Sequence, residues 1–230
     1  MMQNTKKKRP ALPVLTCGEA AAMIRDGDRV MVGGFGLRGS PSGILEALAA
    51  GGAGDLTVLA VNCDAPGVGL GKLLRTGQIT RLIGSYFNKN PEVALRHNAG
   101  ELEVELLPMG TFAEALRAGG MGIPAFYVPA GAGTELGEGA ETREFDGRSY
   151  LLQRALRARV ALIRARRADT LGNLVYSKTA RNFNPAMAAA ADFTIAEVEE
   201  IVEPGELDPD SIVTSHIYVN ALVRAEAGHE

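Results

Sequence analysis

This 230-residue chain contains no tryptophan, and its small number of cysteines and histidines restricts the chemistry it can carry out. Its two cysteines, Cys17 and Cys63, are too few for a disulfide framework and lack the CxxC spacing of a metal site. Three histidines support neither a histidine-rich metal site nor a catalytic triad. No apolar run approaches the ~20 residues that span a bilayer, and no segment has the pattern of a secretion signal. We therefore expect a cytoplasmic protein without a metal centre.

Positive and negative residues are nearly balanced in this chain. The net charge is only −3, which does not indicate a surface for nucleic acid or membrane. Hydrophobic residues make up 46% of the chain, enough for a well-buried α/β core.

Because Lys6–Arg9 are basic and lie ahead of Pro10, we expect residues 1–14 to be a disordered tail. Residues 15–226 are then expected to form a single domain.

Apolar runs of strand type alternate with amphipathic helical patterns along this domain. Thr16 and Glu19 have the spacing of a capping box before a helix over 20–25, and Ser40-Pro41 is expected to cap the next helix. Such alternation predicts an α/β fold, with a mostly parallel sheet covered by helices on both faces. The other expected strands cover 29–35, 56–61, 81–84, 104–107, 160–164 and 194–198, and the other helices cover 41–50, 70–74, 91–98, 111–118 (closed by Gly119-Gly120) and 185–191.

The alternation is interrupted over residues 121–152, where we expect a small insertion. Residues 130–139 are rich in glycine and have the composition of a loop. Residues 141–152 have the pattern of a hairpin that turns at Asp146-Gly147.

The most informative stretch is 26–41, where an apolar strand opens into four glycines within seven residues. Glycine lets backbone N–H groups approach phosphate, carboxylate or thioester oxygens. Taken literally, Gly34–Gly39 is a G-x-G-x-x-G motif, and Asp64 follows the next strand, as in NAD(P)-binding oxidoreductases. Because the helix begins after the last glycine and Gly33 adds another one, the residues favour an anion or thioester site over nicotinamide binding. A tight turn that only packs is a third alternative.

A longer signature extends this motif. The run Asp26-Gly27-x-x-Val30-Met31-Val32-Gly33-Gly34-Phe35-x-x-x-Gly39-x-Pro41 resembles, at every fixed position, the signature of the A (alpha) subunit of family I CoA-transferases. The closest resemblance is to the 3-oxoacid type, which moves CoA between succinate or acetate and acetoacetate. Further similar segments cover nearly all of the chain beyond residue 15: 100–105, 118–126, 168–174, 180–185, 197–202 and 205–209.

The resemblance implies the CoA-transferase (NagB/RpiA-like) fold and a partner. In that family the enzyme consists of an A and a B subunit, usually as A2B2, and the catalytic glutamate belongs to the B subunit. This glutamate attacks the acyl-CoA thioester and forms a glutamyl-CoA thioester in a ping-pong cycle. The resemblance therefore implies no catalytic residue on this chain, no permanently bound cofactor, and CoA and short carboxylic acids as substrates.

The resemblance also implies site residues, with two departures from the family pattern. Relatives commonly have Pro-Gln-Gly where this chain has Met109 before Gly110, and Asn-Asn-Ala where it has Asp64 after Asn62 and Cys63. Both changes lie among the expected substrate-proximal residues, which are Asn62, Asp64, Met109 and Gly110. The acid could therefore be 3-oxoadipate or another short acid, or the chain could be a non-catalytic α/β partner module. The CoA-binding loop is expected to comprise Gly33, Gly34, Phe35, Gly36, Leu37, Arg38 and Gly39.

Overall fold

A computed structural model describes residues 10–226, which form one large and one small β-sheet. The strands are β1 (Val14–Leu15), β2 (Arg29–Val32), β3 (Leu56–Leu59), β4 (Ile79–Gly84), β5 (Glu103–Leu106), β6 (Ala125–Val128), β7 (Thr142–Phe145), β8 (Arg148–Arg154), β9 (Ala158–Asp169), β10 (Leu174–Val175), β11 (Ala191–Val202) and β12 (Ala221–Arg224). The helices are α1 (Cys17–Ala22), α2 (Ser42–Gly51), α3 (Leu70–Arg75), α4 (Pro91–Asn98), α5 (Met109–Met121) and α6 (Asn184–Ala190).

The large sheet has the order β1-β12-β11-β9-β2-β3-β4-β5, and all of these neighbours are parallel. Only the short β10 pairs antiparallel, on β9. The expected mostly parallel sheet is confirmed.

Both faces of this sheet are buried. Along β2, Val30 and Val32 pack with residues of α1 to α4, such as Ile44, on one face. Met31, between them, points to the other face and packs with α5 and α6 through Phe112 and Met187. Successive strand residues point to opposite faces, so a strand covered on both sides is apolar throughout. The expected helical cover on both faces is therefore confirmed.

The small sheet has the order β6-β8-β7 and is antiparallel. Its turn contains Asp146 at φ 50° and Gly147 at φ 74°. Two central residues with positive φ form the turn that best matches the twist of a two-residue hairpin. The expected hairpin and its turn are confirmed, and the sheet lies largely within the segment where an insertion was expected.

Helix α5 corrects one expectation, because it continues through Gly119 and Gly120 and ends at Gly122, which has φ 74°. A Cβ on Gly119 would lie 2.0 Å from the carbonyl oxygen of Leu156, and one on Gly120 would lie 2.8 Å from Cβ of Ala189. These two glycines therefore permit close helix packing, and the terminating glycine is the left-handed one at 122.

The N-terminal boundary also differs from expectation. Residues 1–9 of the expected tail lie outside the described residues. Within the described part, the N–H of Leu12 donates to the carbonyl of Thr170 at 2.8 Å, and Val14 pairs with Leu222. The packed part of the chain thus begins before residue 15. The capping box of α1 is confirmed, with Thr16 and Glu19 bonding reciprocally, although the helix ends at Ala22. None of the described helices is long and apolar enough to cross a membrane.

Candidate active site at the glycine loop

The glycine loop, residues 33–39, connects the end of β2 to the segment before α2. Its first N–H groups already have acceptors within the chain. Gly33 donates to the carbonyl of Leu162 at 2.9 Å, and Phe35 donates to that of Arg38 at 3.1 Å. Side-chain amides supply the other two acceptors, Asn182 Oδ1 for Gly34 at 3.2 Å and Asn62 Oδ1 for Gly36 at 2.9 Å. These four donors define the shape of the loop.

Two of the N–H groups later in the loop have no hydrogen-bond partner among the described residues. No acceptor among residues 10–226 bonds to the backbone N–H groups of Leu37 or Gly39, whereas the Arg38 N–H faces the Phe35 carbonyl in an isolated antiparallel bridge. Leu37 and Arg38 are exposed, and Leu37 retains 45% of its accessibility. Unpaired N–H groups in a turn can bind an anion or polarise a carbonyl.

Two asparagines hold this loop by hydrogen bonds: Asn182, just before α6, and Asn184, its first residue. Asn182 accepts the Gly34 N–H and donates through Nδ2 to the carbonyl of Arg38 at 2.9 Å. Asn184 is fully buried and donates to the carbonyl of Gly39 at 3.0 Å. The two amides thus fix both ends of the exposed turn.

The backbone here is close enough to exclude side chains. Gly39 has φ 70°, and a Cβ on it would lie 2.2 Å from the carbonyl oxygen of Ala180. Asn182 itself has φ 22° and ψ −121°, a conformation that non-glycine residues rarely adopt. The backbone of the glycine loop therefore packs directly against the segment before α6, with no room for a side chain at Gly39.

A groove of about 1070 Å³ opens beside the exposed turn. Residues 164–166 in the C-terminal half of β9 and residues 176–180 line it together with the turn. Its charged lining residues are four cations and one anion: Arg38, Arg164, Arg166, Lys178 and Glu199.

Asn62 and Asp64 form a directed chain of hydrogen bonds behind the loop. Asn62 accepts the Gly36 N–H and donates through Nδ2 to Asp64 Oδ1 at 2.9 Å. Asp64 Oδ2 accepts the N–H of Leu70, the first residue of α3, at 3.2 Å. Asp64 is buried, and this burial raises the pKa of its carboxyl, although both hydrogen bonds oppose the shift. Its side chain supports the loop and does not line the groove.

Met109 and Gly110 lie elsewhere along the same edge of the sheet. They begin α5, after β5, which is three strands away from β2. Met109 is 42% exposed and does not line the groove. The two residues are thus not brought together with the glycine loop by any described contact.

The two thiols are poorly suited to nucleophilic chemistry. Burial raises the pKa of the Cys63 thiol to about 12, and Asp64 adds to the shift. Burial also raises the pKa of Cys17, with Glu197 contributing. A thiol with a raised pKa carries little reactive thiolate at neutral pH. Within residues 10–226, no group of three or more His, Cys, Asp or Glu side chains could hold a metal ion.

The expectation that Ser40-Pro41 caps helix α2 is wrong. Helix α2 begins at Ser42 and has no side-chain cap from its own N-terminus. Instead, Glu197 on β11 accepts the N–H of Ile44, in the first turn, at 2.9 Å. Glu197 is fully buried and also accepts from Arg164, its cross-strand neighbour on β9, at 3.3 Å. A buried carboxylate at a helix N-terminus is stabilised by the helix dipole and the free N–H groups.

The roles of Asn182 and Asn184 do not follow from the sequence, in which the polar start of this helix indicates a structural cap. The α6 N-cap is Phe183, and it makes no side-chain cap bond. The only local signal is the Asn-Phe-Asn-Pro pattern, in which two amides flank an aromatic residue. Nothing in that pattern indicates a contact with residues about 145 positions earlier.

The sequence of this chain is similar to those of a known enzyme family. A family profile described as coenzyme A transferase matches residues 14–225. The chain is 55% identical over 203 residues to the A subunit of succinyl-CoA:3-ketoacid coenzyme A transferase from Xanthomonas campestris pv. campestris, covering 88% of this chain and 84% of that protein. It is 49% identical to the subunit of the same name from Helicobacter pylori, covering 90% of each.

Solved structures share the fold. An acyl-CoA transferase from Escherichia coli O157:H7, in a thioester complex with CoA, matches with a TM-score of 0.85 at 20% identity. The match covers 96% of this chain and 49% of that chain, so this protein spans about half its length. Glutaconate coenzyme A-transferase from Acidaminococcus fermentans matches with a TM-score of 0.79 at 21% identity, covering 94% of this chain and 77% of that one. At these identities the likeness establishes the fold.

Proposed function

This chain belongs to the coenzyme A transferase family, and we propose that it is the A subunit of an enzyme that moves CoA between succinyl-CoA or acetyl-CoA and a 3-oxoacid such as acetoacetate. The observation that carries this proposal is the 55% identity to an A subunit with that specificity, over most of both chains. A 51% identical relative in Bacillus subtilis is named as a probable enzyme of the same kind. These relatives do not favour the oxidoreductase or the non-catalytic alternative.

CoA is the substrate of this family, and in our proposal the glycine loop, Gly33–Gly39, binds its thioester region. The unpaired N–H groups of Leu37 and Gly39 support this role because they can donate to a thioester or acyl oxygen. Such donors stabilise negative charge that develops when the thioester is attacked. They act best when held rigidly, which is what Asn182 and Asn184 do for this loop.

The nucleophile is proposed to come from a B subunit, in an A2B2 assembly in the cytoplasm. The described part of this chain supports that division of labour, because each of its buried carboxylates accepts a backbone N–H group: Asp28, Asp64, Asp169 and Glu197. The attacking carboxylate displaces CoA thiolate from the acyl group and forms a mixed anhydride with it. The thiolate then attacks the enzyme carbonyl of this anhydride, which gives the enzyme–CoA thioester and releases the donor acid as its carboxylate. A second carboxylic acid takes CoA in the reverse sequence.

The identity of the accepting acid is proposed to depend on the Asn62 and Met109 regions. A thioether at position 109 offers neither the donor nor the acceptor of a glutamine amide. Because Asp64 is turned into the protein, its charge does not confront an anionic acid in the groove. The acceptors to be assayed are short 3-oxoacids, with 3-oxoadipate and other short acids as the alternatives.

The test is an exchange assay on the chain co-purified with a B subunit encoded beside it. Succinyl-CoA and acetoacetate should yield acetoacetyl-CoA, followed by its enolate absorbance, whereas the chain without its partner should yield none. Acetate, 3-oxoadipate and other short acids define the specificity. Absence of exchange with every pair would exclude the proposal. A parallel titration of NADH fluorescence tests the dinucleotide alternative, which requires NADH binding without CoA binding.

A further inference from the structure

Three cations on the wall of the groove have no partner among residues 10–226. Arg38, Arg166 and Lys178 line the groove, are exposed, and make no side-chain hydrogen bond or ion pair with the described residues. They come from three separate elements: the glycine loop, β9 and the 3-10 turn at 178–181. We define them as the cationic rim.

The overall charge of the chain does not explain this clustering of positive charge. Its net charge is −3, and its other groove-lining arginine, Arg164, pairs with Glu197 and Glu199. Arg167, the next arginine along β9, pairs with Glu200. Among the described residues, the arginines on either side of Arg166 are thus paired with glutamates, and Arg166 has no ion-pair partner there. Uncompensated charge of one sign along a concave surface raises the local concentration of oppositely charged ligands.

The groove is larger than a short carboxylic acid requires. Its volume of about 1070 Å³ suits a ligand the size of a nucleotide. The rim is also continuous with the turn that carries the unpaired N–H groups of Leu37 and Gly39, since both residues line the same groove as Arg38. A ligand that reaches the turn with one end can therefore lie along the rim with the other.

We propose that the cationic rim binds the diphosphate and 3′-phosphate end of CoA, with Arg166 and Lys178 as affinity-determining residues that lie outside the glycine loop. This inference rests on the proposed function for the identity of its ligand. Charge-assisted bonds from arginine and lysine are the usual means of binding phosphates. The rim contributes binding that is equal in the ground and transition states, because the phosphates do not react.

The experiment uses the A–B complex and two acyl donors, succinyl-CoA and succinyl-pantetheine, which lacks the diphosphate and the nucleotide. In the double variant Arg166→Gln/Lys178→Gln, KM for succinyl-CoA should rise about tenfold or more with kcat nearly unchanged. KM for succinyl-pantetheine should stay constant. Arg154→Gln is the matched control: this arginine ends β8, outside the groove, and forms no ion pair with the described residues.

Equal effects on both donors, or no effect on either, would overturn the proposal. So would loss of the complex on size-exclusion chromatography, which would assign the rim to an acidic segment of the partner. Calorimetric titration of the complex with CoA and with pantetheine separates this inference from the proposed function. If exchange activity is absent in the native complex but the double variant weakens CoA binding alone, the phosphate site stands and the function fails.

Discussion

The side-chain amide oxygen of Asn184 occupies the space where residue 33 would carry a β-carbon. A Cβ on Gly33 would lie 1.8 Å from Asn184 Oδ1. That oxygen also accepts the N–H of Arg164 at 3.1 Å, and the amide nitrogen donates to Gly39. One buried amide therefore joins the end of β2, the middle of β9 and the far end of the glycine loop. Replacing any of these partners is expected to disturb the others.

Gly33→Ala should displace the loop, because neither the buried Asn184 amide nor the strand end can move freely. We expect a loss of about 1–3 kcal/mol in the free energy of unfolding and a fall in kcat/KM of about 10²-fold, as for other displaced catalytic groups. Urea denaturation and the exchange assay measure the two effects. Gly51→Ala is the control, since a Cβ there meets nothing within 4 Å. If both alanines behave alike, close packing at Gly33 is not what the loop requires.

Asn182 combines a side-chain role with an unusual backbone, and two variants separate these contributions. Asn182→Ala removes the acceptor of the Gly34 N–H and the donor to the Arg38 carbonyl while keeping a Cβ at φ 22°. Asn182→Gly removes the same bonds but relieves the backbone. We expect the alanine variant to be less stable than the glycine variant by about 1 kcal/mol, with activity reduced in both. Full activity in Asn182→Gly would show that only the backbone conformation matters.

Glu197 and Glu199 offer a matched comparison, because both pair with Arg164 but differ in burial. The side chain of Glu197 is 1% exposed and that of Glu199 is 48% exposed. Glu197→Gln leaves Arg164 poorly compensated and weakens the cap of α2, so it should lower the unfolding free energy by about 3 kcal/mol. Glu199→Gln should lower it by only about 0–1 kcal/mol. Chemical denaturation in matched buffers measures the unfolding free energy of both variants. An equal decrease in the two would contradict a structural role for the buried carboxylate.

Local chemistry accounts for what the sequence predicts well. The capping box at Thr16 and the turn at Asp146-Gly147 depend on residues at most three positions apart, so their patterns are sufficient. Strands that are apolar throughout, placed between amphipathic helices, likewise predict the parallel sheet. A sheet that helices cover on both faces needs apolar residues on both sides of each strand. The family signature adds the functional class, which local physics alone left open between anion and nucleotide binding.

Long-range partners account for what the sequence does not predict. Glu197 caps α2 from 153 residues away. Asn184 contacts Gly39 across 145 residues. Helix α5 continues through two glycines because Leu156 and Ala189 lie against them, whereas glycine pairs by themselves suggest a helix end. In each case the deciding neighbour is absent from the local sequence window.

Asp64 gives the last prediction, which concerns pH. Because burial raises the pKa of its carboxyl, the folded protein holds this proton more tightly than the unfolded chain. Between the unfolded pKa of about 4 and the higher folded pKa, the native state thus binds more protons. Stability from this group must then fall as pH rises through the folded pKa. Asp64→Asn lacks that titration, so the difference in unfolding free energy, native protein minus variant, should increase as the pH is lowered from 7 towards 4.

The same variant tests the directed chain of bonds. The amide introduced by Asp64→Asn would present an N–H₂ group either to Leu70 or to Asn62, both of which need an acceptor there. If Asn62 turns over in response, its oxygen no longer accepts the Gly36 N–H, and the glycine loop loosens. Amide hydrogen exchange at Gly36 should therefore quicken in this variant, while exchange at Gly33, which bonds to the Leu162 carbonyl, should stay slow. Unchanged exchange at Gly36 would show that Asp64 stabilises α3 alone and leaves the loop to the two asparagines at the start of α6.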